Sequence, residues 1–148
     1  MMNKKDFING EVYRKGDYLI IKDTSVMCYL EENGIKEATL KLCKKIKPKK
    51  VLEIGFGLGF TATTFQDYGV KEHTIIEAHP LIYKKAKEWS KNYNGIKVIN
   101  SFIQEFKYDE KDYDLVFDDR HELVYPLNGD ITPRYKTKDM EEWQTDLM

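Results

Sequence analysis

Apolar residues in this chain fall into short blocks with two different spacings. From residue 51 onward, runs of four or five residues rich in apolar positions alternate with longer amphipathic stretches. The pattern predicts strand 51–54, helix 60–68, strand 73–77, helix 80–92, strand 96–99, a polar turn and strand 113–117. Short, nearly continuous apolar runs suit strands covered on both faces. Their alternation with helices predicts a parallel sheet with right-handed crossovers. Upstream, E-V-Y-R-K-G-D-Y-L-I-I-K-D (11–23) predicts a small hairpin turning at Lys15-Gly16-Asp17. Thr24 or Ser25 is placed to cap a helix through Met27 and Leu30. A further helix over about 36–46 carries Ala38, Leu40, Leu42, Cys43 and Ile46 and stops before Pro48. Beyond Asp119 come Pro126, Gly129 and Pro133, then a polar stretch, 137–147, compatible with a helix. No fifth, sixth or seventh strand is evident there. The expected fold is therefore α/β: a Rossmann-like, mostly parallel sheet shortened to about four core strands, with an N-terminal hairpin and helix extension.

The junction between the first core strand and its helix carries the chemistry. Residues 51–64 read V-L-E-I-G-F-G-L-G-F-T-A-T-T. Gly55, Gly57 and Gly59 allow a sharp turn and close approach of a ligand to the backbone. The helix that follows opens with free N–H groups and partial positive charge. Dinucleotide enzymes favour G-x-G-x-x-G, which would need glycine at Phe60 rather than Gly59. Here the pattern is E-x-G-x-G-x-G, and Glu53 before the turn suits a cationic ligand better than a pyrophosphate. S-adenosylmethionine, with a sulfonium, an α-ammonium and no phosphate, fits that requirement. Glu77 ends the next strand, H-T-I-I-E-A (73–78), 22 residues after Gly55. That is close to the roughly 20-residue offset at which a carboxylate meets ribose hydroxyls in this architecture.

Composition narrows the class further. At 148 residues, with 41% hydrophobic and 13% aromatic positions, the chain suits one domain. It divides into an N-terminal hairpin and helices (1–47), a cofactor-binding core (48–121) and a tail (122–148). Charge is heavy but balanced, 24 Lys+Arg against 25 Asp+Glu, so nothing pulls it generally towards nucleic acid or an anionic membrane. Lys44, Lys45, Lys47, Lys49 and Lys50 read as a solvated helix end and loop. Cys28 and Cys43 form no C-x-x-C, and His73, His79 and His121 lack ligand-like spacing, so no metal site is expected. No long apolar segment opens the sequence, and a reduced, cytoplasmic setting is the expectation.

Four segments carry a family resemblance: V-M-C-Y-L-E (26–31), V-L-E-I-G-F-G-L-G (51–59), E-H-T-I-I-E-A-H-P (72–80) and Y-D-L-V-F-D-D (113–119). The chain resembles class I S-adenosylmethionine-dependent methyltransferases. More narrowly, it is similar to the guanidinoacetate N-methyltransferase family and its relatives that methylate the δ-nitrogen of protein arginine. It departs from them at Leu30, where tryptophan is usual, at Ser101-Phe102-Ile103, where a glycine is usual, and at Arg120-His121 after the fourth strand. A class I sheet has seven strands, so the C-terminal side looks cut short.

The resemblance implies S-adenosylmethionine as cofactor, held by Glu53, Gly55, Gly57, Gly59, Glu77, Ala78, Phe102 and Ile103. It places Glu31 and Asp119 at the reacting nitrogen, with Asp118 at the mouth of the same site. Guanidinium stays protonated at neutral pH, so paired carboxylates can grip its planar fork and accept its proton. The implied activity is N-methylation of a guanidino- or amine-bearing small molecule or peptide. Two other functions stay open: a non-catalytic S-adenosylmethionine-binding subunit, and metal-dependent O-methylation with Asp118 on Mg²⁺. Four strands in 3-2-1-4 order would leave strand 113–117 as an unpaired apolar edge. That predicts a homo-oligomer, most simply a dimer, with residues 113–148 in the interface.

Overall fold

The computed structural model describes residues 4–119 and 133–145. Its centre is a five-stranded sheet. β4 (Lys50–Ile54) lies between β5 (Glu72–Glu77) and β7 (Leu115–Asp118), with β6 (Ile96–Asn100) outside β5 and β8 (Arg134–Lys136) outside β7. β6, β5, β4 and β7 are parallel, in the 3-2-1-4 order expected, and β8 runs antiparallel. The crossovers are α3 (Phe60–Tyr68) and α4 (Pro80–Ser90). α3 ends on Gly69, whose left-handed φ of 109° lets its N–H close on Phe65 and Gln66 carbonyls. Pro80 opens α4 at a position that needs no amide donor.

Residue alternation along the strands divides the core. Val51, Leu115, Phe117 and Tyr135 pack with Leu42, Cys43 and Phe65 from the helices. Leu52, Ile54, Ile76 and Val116 form the opposite face, packed by Ile99, Ile103, Phe106, Tyr108, Tyr113 and Trp143. Before the core come α1 (Lys4–Asn9), a three-stranded antiparallel sheet of β1 (Val12–Lys15), β2 (Tyr18–Ile21) and β3 (Thr24–Cys28), and α2 (Glu32–Ile46). The hairpin turns at Gly16, with φ of 60°, as expected.

Three expectations are corrected. Residues 24–28 are a strand rather than a helix: they pair with β2, and only Tyr29–Glu31 winds, as a 3-10 turn leading into α2. Residues 137–145 form turns and a bridge between Tyr135 and Gln144 instead of a helix. The third concerns the sheet edge. β7 is covered by β8 through Val116↔Lys136, Phe117↔Tyr135 and Asp118↔Arg134. The unpaired edge from which a dimer was inferred is therefore closed by the chain itself. Among the described residues no helix is long and apolar enough to cross a membrane.

Candidate active site

A cavity of about 570 Å³ opens beyond the C-terminal ends of β4, β5 and β7, where ligands of open α/β sheets bind. Its floor is the turn after β4. Gly55, Gly57 and Gly59 all have positive φ, at 93°, 56° and 81°. Gly55 N–H bonds Ile76 carbonyl and Gly59 N–H bonds Phe56 carbonyl, which fixes the turn against β5. A Cβ on Gly57 would come within 2.8 Å of Met27 Sδ, and the same sulfur accepts the Leu58 N–H at 3.3 Å. The turn is thus held from outside by β3. Gly59 does not line the cavity; it caps α3 and packs under the Phe56 ring.

Glu77 ends β5 as expected and borders the cavity, yet its oxygens are already engaged. Oε1 accepts from Phe56 N–H at 2.9 Å and Oε2 from His79 N–H at 2.8 Å. Burial raises its pKa against the opposing pull of these main-chain donors. The sequence offset located this residue but carried no sign of its main-chain duty. His79 in turn caps α4, accepting Leu81 N–H on Nδ1 and donating from Nε2 to Gly10 carbonyl at 3.1 Å. Ala78, Phe102 and Ile103 line the same wall. Asn100 supports it by donating to the Glu77 and Ala78 carbonyls.

Glu53 is buried on the cavity side of β4. Its Oε1 accepts from His73 Nε2 at 2.9 Å, while Oε2 has no hydrogen-bond partner among the described residues. Burial raises its pKa, and His73 only partly opposes that. On the β7 side, Asp119 lines the cavity and its N–H extends the parallel ladder to Ile54 carbonyl. Burial, then the charges of Glu53, Asp118 and Glu31, push its carboxyl up to about 7. Glu31, exposed at the end of the 3-10 turn, lines the same cavity. Asp118 is not brought in. Consecutive strand residues face opposite ways, so Asp118 shares the side of Val116. There it is fully buried, and its Oδ2 accepts from Arg134 Nε and Nη2 at 3.1 and 3.0 Å.

A family model described as guanidinoacetate N-methyltransferase matches residues 13–127. This chain belongs to the guanidinoacetate N-methyltransferase family. Over 85 residues it is 36% identical to protein arginine N-methyltransferase 2 of Candida glabrata. That stretch is 55% of the family member described here and 21% of the relative, so the chain spans about a fifth of that protein's length. An SAH-bound methyltransferase of Podospora anserina superposes with a TM-score of 0.50 at 23% identity, covering 59% of this chain and 40% of that one. Protein arginine methyltransferase 10 of Arabidopsis thaliana gives 0.50 at 21%, covering 64% and 27%. At such identities the structural likeness is one of fold.

The residues present fit S-adenosylmethionine. Glu53 offers a buried carboxylate oxygen with no partner among the described residues, and such a group suits a cation. Gly57 lines the cavity at a φ of 56°, which brings bare backbone to the ligand space. The sulfonium and ammonium of the cofactor both carry the charge these features suit.

Proposed function

We propose that this chain binds S-adenosylmethionine in the cavity and methylates a guanidino or amino nitrogen of a small molecule or peptide. The observation that carries the reading is the meeting of Glu31, Glu53 and Asp119 at one cavity, with the Asp119 carboxyl up at about 7. The bound cofactor would supply an electrophilic methyl on positively charged sulfur. Everything else falls to the chain. Glu31, at the exposed mouth, meets a guanidinium first and offers both oxygens to two of its N–H groups. Asp119 sits further in and accepts a proton from the nitrogen that takes the methyl. An acceptor poised near the working pH is an efficient one. Arrival of a cationic substrate favours the ionised form of Asp119, so substrate binding itself readies the base. Apolar Ile54, Phe102, Ile103 and Phe117 line the walls and exclude water, which strengthens these charge interactions.

Asp119→Asn tests the assignment, because the amide keeps the shape and loses the basicity. Calorimetry should show unchanged affinity for S-adenosylhomocysteine. Turnover on guanidino- and amine-bearing acceptors should fall by about 100-fold or more. Full turnover in the variant would place the base elsewhere. A wild-type protein with no affinity for S-adenosyl compounds would overturn the reading as a whole.

A further inference from the structure

His73 lies outside the cavity, yet it holds Glu53, the cavity carboxylate whose buried Oε2 has no hydrogen-bond partner among the described residues. It sits on β5 in register with Val51, on the same sheet face as Glu53. The Gln66 carboxamide of α3 donates to its Nδ1 at 2.9 Å, which leaves the ring proton on Nε2. Nε2 then donates to Glu53 Oε1 at 2.9 Å. Phe65 and Trp89 stand edge-on to the imidazole, with centroids 5.6 and 6.4 Å away. Both ring nitrogens are engaged, the ring is wedged, and the histidine is 1% exposed. Such a ring has one orientation available and therefore gives Glu53 one as well. The free oxygen is Oε2, and Glu53 borders the ligand space.

We propose that His73 is a positioning residue: the Gln66–His73–Glu53 chain fixes Glu53 so that Oε2 stays an unshared acceptor for the α-ammonium of the cofactor's amino-acid end. The inference rests on the cofactor reading above and adds to it a selectivity for that end of the ligand. A direct tie from Nε2 to one oxygen leaves the other with its full acceptor capacity. An unheld glutamate would be free to turn both oxygens towards main-chain donors, as Glu77 does.

The test compares two ligands that share the adenosine and thioether but differ in the amino-acid end. These are S-adenosylhomocysteine and 5′-methylthioadenosine, titrated calorimetrically into the full chain. His73→Phe keeps the ring and removes the donor. It should weaken S-adenosylhomocysteine about tenfold or more, the scale of one hydrogen bond to a charged group, and leave 5′-methylthioadenosine unchanged. His73→Gln, whose amide nitrogen can stand in for Nε2, should recover most of the loss. Gln66→Leu, away from the carboxylate, should produce a smaller loss of the same selectivity, and it serves if His73→Phe does not fold. Adding His73→Phe to Glu53→Gln should weaken S-adenosylhomocysteine no further. Equal weakening of both ligands, or unchanged S-adenosylhomocysteine affinity in His73→Phe and Gln66→Leu, overturns the inference. If the wild type binds neither ligand, the cofactor reading itself has failed.

Discussion

Two sides of the cavity handle buried acid in opposite ways. On the β5 side, Glu77 spends both oxygens on main-chain N–H groups and so ties the glycine turn to the start of α4. On the β4–β7 side, Glu53 keeps one oxygen without a partner among the described residues, and Asp119 is crowded by three other carboxylates. The first arrangement contributes to folding; the second costs folding free energy and leaves acceptors for a ligand. Acidic residues at neighbouring strand ends thus do different work according to the donors the surrounding backbone offers.

The largest expected effect breaks the β5 side. Glu77→Ala would leave Phe56 and His79 N–H buried and unpaired, and urea unfolding should report a loss of about 3 kcal/mol. Glu53→Gln should cost no stability or even add some, because it removes a charge that burial disfavours. Similar losses in both variants would erase the contrast.

A smaller effect appears in the pH dependence. Asp119 has its folded pKa raised from 3.8 to about 7. The folded state therefore binds its proton more tightly than the unfolded chain does. Its stabilising contribution is full below about pH 4 and is lost as pH rises towards 7. The burial-raised carboxyls of Glu53 and Glu77 act in the same direction. Thermal midpoints should accordingly fall across that window, and Asp119→Asn should flatten the slope. A slope that survives the substitution would assign it to the other acids. For the proposed activity the sign reverses, since kcat/KM should climb as Asp119 ionises and level off above about 7.

The smallest effect concerns the turn both sides share. Gly57→Val places a branched side chain at φ of 56° and against Met27 Sδ. It should cost about 1–2 kcal/mol of stability and weaken S-adenosylhomocysteine. Unchanged binding would mean that the ligand does not approach the turn.

Much of the core was legible from residue order. The Phe60–Tyr68 helix and the parallel strands followed from apolar periodicity and the glycine turn, whereas the 3-2-1-4 order came with the class I resemblance. The N-terminal strand was not. Thr24 and Ser25 resemble helix caps, and only pairing with Tyr18–Ile21 makes that segment a strand. β8 was equally hidden: Arg134–Lys136 is a polar tripeptide whose strand character comes from covering β7 and from the Arg134–Asp118 ion pair. At the site, Glu53 and Glu77 were singled out by spacing and Glu31 and Asp119 by the resemblance, and all four border the cavity. Asp118 was misassigned because two adjacent aspartates read alike until the pleat separates them. His73 carried no signal beyond its place two residues before the apolar Ile75, since its partners come from α3 and β4.

Residues from Phe7 to Cys28 supply one wall of the cavity, through Phe7, Leu19, Ile21, Met27 and Cys28. That wall is fastened to the core by apolar packing of Phe7, Leu19 and Ile21 with Phe56, Ile75, Ile82 and Phe102, and by polar contacts between distant segments. They include His79 to Gly10 carbonyl, 69 residues apart in sequence, Leu58 N–H to Met27 Sδ, and the Lys4–Glu105 pair. Bringing such distant segments together carries a loop-closure cost, whereas the parallel strands behind them are held by continuous ladders. Lifting the wall would uncover that apolar face, so its opening is a cooperative sub-global event rather than fraying. A ligand that leaves past this wall, rather than by the mouth at Glu31, leaves only as often as the wall lifts. Residence time would then be governed by the amide exchange rate of β1 to β3, separately from the strength of any contact the ligand makes.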